Sequence, residues 1–136
     1  MADFRKINEH YAELSGELLR EEKALNYIKE SNVTIIYLSS EAERKNNGKL
    51  VLGQCEKVPD KYKWSVPADF TITLFEPNIE KLTEEQIKIL LFHELLHVGI
   101  EQDGNEEKYF VRPHDLEDFK LIIDKFGTEW SWTDDE

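Results

Sequence analysis

Apolar positions recur along this chain with more than one period, and each period predicts an element. From Phe4 through Ile7, Tyr11, Leu14, Leu18 and Leu25 to Ile28 the spacings are three, four and seven, which predicts one amphipathic helix, or two broken near Gly16. A heptad seam for dimerisation is the weaker reading, because fewer than four heptads are present and Glu21 interrupts them. Residues 33–38 (VTIIYL) are β-branched and apolar, the pattern of a buried strand. Residues 39–48 read as a polar connection or short helix ending in an Asn47-Gly48 turn signal. Residues 49–58 (KLVLGQCEKV) read as a second strand with Gly53 as a candidate bulge, and 59–67 as a loop carrying Tyr62 and Trp64. In 70–75, Phe70, Ile72 and Leu74 alternate with Thr71, Thr73 and Phe75, a half-buried strand that Pro77 and Asn78 stop.

The helical period returns over residues 83–100. Thr83 with Gln86 forms a capping-box pattern, and Glu84 and Glu85 suit the positive end of the helix dipole. Ile87, Leu90, Leu91, Leu95 and Val98 make one apolar face, and Ile89, Phe92 and Leu96 extend it, so this helix is expected to be buried on most sides. After Gly99 come a polar loop (EQDGNEE) and a short extended run at 109–112, which Pro113 separates from the last segment of the chain. Asp115 can cap a last helix with an apolar face of Leu116, Phe119, Ile122, Ile123 and Phe126, closed by Gly127. The tail holds two tryptophans among acids. The expectation is one α+β domain over 1–136: a small mixed sheet of about three to four strands packed on an N-terminal helix, a central helix and a C-terminal helix.

Charge narrows the function. The net charge is −12, with twelve acidic and four basic residues in 101–136 against seventeen and thirteen in 1–100. A phosphate-tracking surface needs the opposite sign, so no nucleic-acid partner is expected. No apolar run approaches a membrane span, and MADFRKINEHYAEL lacks the apolar core of a signal peptide. Cys55 is the only cysteine, which fits a reducing, cytoplasmic setting and a small buried hydrophobe better than a metal cap. The expected state is a monomer without membrane contact.

The chemistry lies in His93-Glu94-Leu95-Leu96-His97. Residues four apart on a helix project from one face, so two imidazoles can supply two ligands to one tetrahedral Zn²⁺. Glu94 is rotated by about 100° from His93, within reach of a metal-activated water without being a ligand, the position of a general base. A carboxylate in an otherwise apolar helix is costly to bury without a partner, and such a site supplies one. A catalytic zinc needs a third protein ligand. His114 is the first candidate, on a Pro-fixed corner beside Asp115, Glu117 and Asp118. Asp103 is its rival, six residues after His97, but D-G-N there reads as a solvated turn. His10 stands apart as a surface residue.

The strand-loop-TEEQ-helix carrying H-E-L-L-H-V, followed by P-H-D-L-E-D-F, resembles the phage metallopeptidase family of minimal zincin-like domains over roughly residues 30–126. The resemblance implies a zincin-like fold, zinc held by His93, His97 and His114, and Glu94 as base in the hydrolysis of a peptide or protein substrate. Tyr62, Tyr109 and Arg112 are candidate oxyanion donors. The strand at 70–75, ahead of the metal helix, is the expected edge for a substrate peptide to pair with. The alternative is a zinc-stabilised protein-binding module without turnover, which leaves Glu94 without a task. A DNA-associated zinc protease is disfavoured by the charge.

Overall fold

The structure is a computed structural model and describes residues 5–113. The helix expected from Asp115, His114 before it and the tryptophans of the tail all lie outside those residues. Strand β1 (Arg5–Ile7) opens the chain and leads into α1 (Glu9–Glu21), capped by the Asn8 side chain, which accepts from the Tyr11 N–H. A 3₁₀ turn (Lys23–Leu25) and the short α2 (Asn26–Lys29) come next. Then come β2 (Ile35–Ser40), β3 (Lys45–Asn46), β4 (Lys49–Leu50), β5 (Gly53–Lys57) and β6 (Phe70–Phe75). The short α3 (Glu76–Ile79) leads to α4 (Glu84–Leu95), and β7 (Val98–Asp103) and β8 (Glu106–Val111) complete the described chain.

The main sheet has the order β1-β2-β6-β5. β2 and β6 run parallel in its middle, and β1 and β5 flank them antiparallel. This is the mixed α+β sheet that the periodicity predicts. Tyr11, Leu14 and Leu18 of α1 and Leu90, Leu91 and Leu95 of α4 join Tyr37, Ile72 and Leu74 of the sheet in one core cluster. At about 1.5–3 kcal/mol for each large apolar side chain buried, this helix-on-sheet layer is the main favourable term holding the fold.

Several expectations need correcting, among them that of a polar loop at 101–107, which the strands β7 and β8 largely occupy. The first helical period breaks not at Gly16, which α1 runs through, but at Glu22. Ile7, counted with that helix, belongs to β1, which bonds to β2 and leaves Ile7 65 % exposed. The single strand at 49–58 is two strands. β3 and β4 form a hairpin whose Asn47-Gly48 loop has φ of 54° and 78°, the doubly positive backbone that an Asn-Gly turn selects. Finally, β6 is buried on both faces rather than half-buried, with Thr73 as inaccessible as Ile72, because it is an inner strand.

Candidate metal centre

Helix α4 is fixed at its start by a complete capping box. Thr83 Oγ1 accepts from the Gln86 N–H at 3.2 Å, and Gln86 Oε1 accepts from the Thr83 N–H at 2.8 Å. Its end falls inside the H-E-L-L-H motif. Leu95 is the last helical residue; Leu96 is its cap, and the His97 N–H bonds to Glu94 O at 3.1 Å, a tightened final turn. So His93 stands on the helix, and His97 stands just beyond it. The turn still brings the two rings together edge to face, with centroids 5.2 Å apart and planes at 68°.

What ends the helix is a second chain segment. The Arg112 N–H donates to His97 O at 2.6 Å, taking the carbonyl in a bond from the end of β8. The Tyr27 hydroxyl donates to Val98 O at 2.6 Å. The His97 ring is held as well: Nδ1 lies 2.7 Å from Arg112 O. A carbonyl only accepts, so Nδ1 carries a proton in this contact. Zinc-ligating histidines use this arrangement, in which the bond at one nitrogen fixes tautomer and ring direction for the other.

The ring spacing of the pair is one that a shared metal ion allows. A ring centroid lies about 3.2 Å from a metal held at a Zn–N distance of about 2.0–2.1 Å, so two rings at a tetrahedral angle sit about 5.2 Å apart. That is the spacing His93 and His97 show. Among the described residues no group of three or more His, Cys, Asp or Glu side chains is arranged to hold a metal.

Glu94 is 4 % exposed and leans on β5. A Cβ at Gly53 would lie 3.2 Å from Glu94 Oε2, 3.3 Å from Glu94 Cγ and 2.8 Å from Leu74 Cδ2, so a side chain there displaces either the carboxylate or the core. Gly53 is therefore the cradle of Glu94 rather than a bulge; it pairs in register with Leu74. Cys55, two residues along β5, is buried in the same layer; burial first, then the Glu94 charge, push its thiol up, so it packs as a neutral group.

The edge expected at β6 belongs to β5 instead. The Phe75 N–H bonds to Leu52 O and the Val58 N–H to Asp69 O. By the alternation of an antiparallel pair, Gln54 and Glu56 turn their backbone groups to β6. Gly53, Cys55 and Lys57 turn theirs to the outer edge.

The other candidates separate clearly. Asp103 ends β7 at the hairpin tip, six residues and about 20 Å of strand from His97, with its carboxylate 2.8 Å from Lys108 Nζ. His10 is exposed and contacts Glu84 Oε1. The Tyr109 hydroxyl is taken by Glu107 at 2.7 Å, and Tyr62 is half-exposed in the loop after β5. Of the three oxyanion candidates only Arg112 meets the motif, through its backbone, while its guanidinium lies 5.8 Å from the centre of the Tyr27 ring. His114 is outside the described residues. Tyr27 and the Arg112 backbone carry no local signal in the sequence, since each acts on a residue distant along the chain.

The family described as Putative phage metallopeptidase matches residues 4–135 of the chain. Neither the curated proteins nor the solved structures include a match to it.

Proposed function

The chain belongs to this phage metallopeptidase family, and from that premise we propose that it is a zinc-dependent, endopeptidase-like hydrolase of peptide bonds with a single zincin-like domain over 1–136. In this reading His93 and His97 hold the zinc, His114 completes the ligand set and Glu94 is the general base. The observation that carries it is the His97 ring, held at Nδ1 by Arg112 O and set 5.2 Å, centroid to centroid, from the ring of His93.

Zinc, when bound there, supplies Lewis acidity toward a water and the scissile carbonyl. Glu94 takes a proton from the attacking water as the new C–O bond forms, then passes it to the amine nitrogen as the C–N bond breaks. The bare backbone of Gly53 leaves the room beside β5 that this carboxylate occupies. The outward backbone groups of β5 suit an extended substrate pairing as an added strand. The lone buried thiol suits a reducing cytoplasm, and no described helix is long and apolar enough to cross a membrane.

The test joins metal analysis with peptide cleavage. Wild type is expected to purify with about one zinc and to cleave a peptide library. Glu94→Gln is expected to keep the zinc and lose about 10²–10⁴-fold in turnover. His114→Ala is expected to lose zinc affinity. Zinc without cleavage in wild type would favour the binding-module alternative; equal cleavage by Glu94→Gln would remove Glu94 as base.

A further inference from the structure

Residues 44–63 differ in charge from everything around them. They hold six basic side chains (Arg44, Lys45, Lys49, Lys57, Lys61 and Lys63) against Glu56 and Asp60, while the other residues of the chain hold eleven basic and twenty-seven acidic. This segment contains β5, and the lysines bracket it: Lys49 lies in β4 just before the edge strand, and Lys57 ends it, with Lys61 in the turn beyond. Lys63 is engaged by Asp69 at 3.1 Å and Asp60 at 3.4 Å. Among the described residues, Lys49 and Lys57 have no ion pair, and Lys61 only overlies the Tyr62 ring at 5.1 Å. All three are exposed. A cavity of about 240 Å³ with Val58, Pro59, Tyr62 and Val66 in its lining opens beside Lys57; Glu56 lines it too, its carboxylate paired with Arg5 at 2.7 Å.

We propose that the outer edge of β5 takes an extended acidic peptide segment, held by Lys49 at one end and by Lys57 and Lys61 at the other. The inference rests on the peptidase reading in taking the occupant to be a peptide, and it adds the substrate class. The outward N–H and C=O groups of Gly53, Cys55 and Lys57 take a peptide backbone, and the lysines select its charge. The acidic remainder of the chain repels an acidic segment everywhere else and so steers it to this edge. A polyphosphate is the less favoured occupant: it cannot use the backbone ladder, and an apolar-lined cavity at the end of the strand suits a peptide side chain.

The experiment measures binding to the full-length Glu94→Gln chain by anisotropy, with three labelled peptides that differ only in carrying Glu, Gln or Lys at the same positions. The Glu peptide is expected to bind at least about tenfold more tightly than the Lys peptide, with the gap closing as salt rises from about 0.05 M to about 0.5 M. Adding Lys49→Glu, Lys57→Glu and Lys61→Glu together should reverse the order. A matched reversal at exposed Lys6, Lys23 and Lys29, which changes the net charge equally, should not. Lys57→Gln and Lys61→Gln singly ask the same question in smaller steps should the triple variant not fold. Equal binding of the Glu and Lys peptides, binding of none of the three, or tighter binding of a single-stranded oligonucleotide overturns the inference. Wild-type cleavage of the Gln peptide keeps the two readings apart. Cleavage with no charge preference overturns the acidic-peptide surface alone, whereas charge-selective binding with no cleavage overturns hydrolysis and leaves that surface standing.

Discussion

The described residues contain two hairpins with two-residue loops, and they are used in opposite ways. β3–β4 is two residues a side, exposed along its whole length, and turns through Asn47-Gly48. β7–β8 is six residues a side and turns at Gly104, φ 65°. Its tip is exposed, but its base is buried at Val98 and Gly99 and bonded to the end of the motif helix. The Phe110 ring lies so close over Gly99 that a Cβ there would fall 2.5 Å from it. Tyr109 meets Phe70 of the main sheet edge-on at 6.0 Å. The first hairpin is a local connection. The second extends the candidate site, because the same residues that start its strand finish the turn that aims His97.

Breaking the base of each hairpin should therefore give unequal results. The largest effect is expected from Arg112→Pro, which removes the N–H that binds His97 O. Zinc affinity should fall about 10–100-fold, the usual cost of losing a group that orients a ligand, while Lys45→Pro in the first hairpin should stay within about twofold. Parallel zinc titrations check this, and equal losses would end the distinction.

Tyr27→Phe is expected to come next. It leaves the Val98 carbonyl without its 2.6 Å donor at a partly buried position, a cost of about 1–2 kcal/mol in urea denaturation. The pH profile gives the same bond a second readout. Burial raises the Tyr27 phenol from 10.0 to about 12, partly opposed by Arg112, and burial likewise raises Tyr37 to about 12. The folded state thus holds protons that the unfolded state releases between about pH 10 and 12. Stability from these tyrosines is complete below pH 10 and is lost as pH rises through 12. Denaturation midpoints across that window should fall less steeply in Tyr27→Phe than in wild type.

The smallest effect belongs to the tip of the second hairpin. Asp103→Ala removes an exposed pair with Lys108 and should change stability by no more than about 0.5 kcal/mol and zinc affinity not at all. Loss of metal in this variant would return Asp103 to the ligand set and give the tip a role the structure does not.

The same contrast explains what could be read from the sequence. Local chemistry was legible where local chemistry decides: the Thr83–Gln86 capping box, the Asn47-Gly48 turn and the strand at Phe70–Phe75 all appear where their own residues direct. The helix end was not legible. Leu95 to Val98 keep an apolar helical period, and it is Arg112, fifteen residues after His97, and Tyr27, seventy-one before Val98, that capture the backbone there. Gly53 shows a related limit: its reason is the Glu94 side chain above it, forty-one positions away, and no local pattern announces such a neighbour. For the same reason β6 looked like an edge, since strand order is a property of the assembled sheet.

The parallel pair at the centre of that sheet carries a consequence for the order of assembly. Ile35 and Phe70 are thirty-five residues apart, so their pairing closes a loop at an entropic cost of about 3 kcal/mol before any ladder forms. Long-range closure of this kind slows a folding reaction, and until it is complete α4 has α1 but no sheet to pack on. The two histidines come into register only after that, when the base of the second hairpin docks. A metal recognising them would then meet a chain that has already crossed its main barrier. Its effect should fall on the unfolding limb of the chevron, lengthening the life of the native state while leaving the speed of its formation almost untouched.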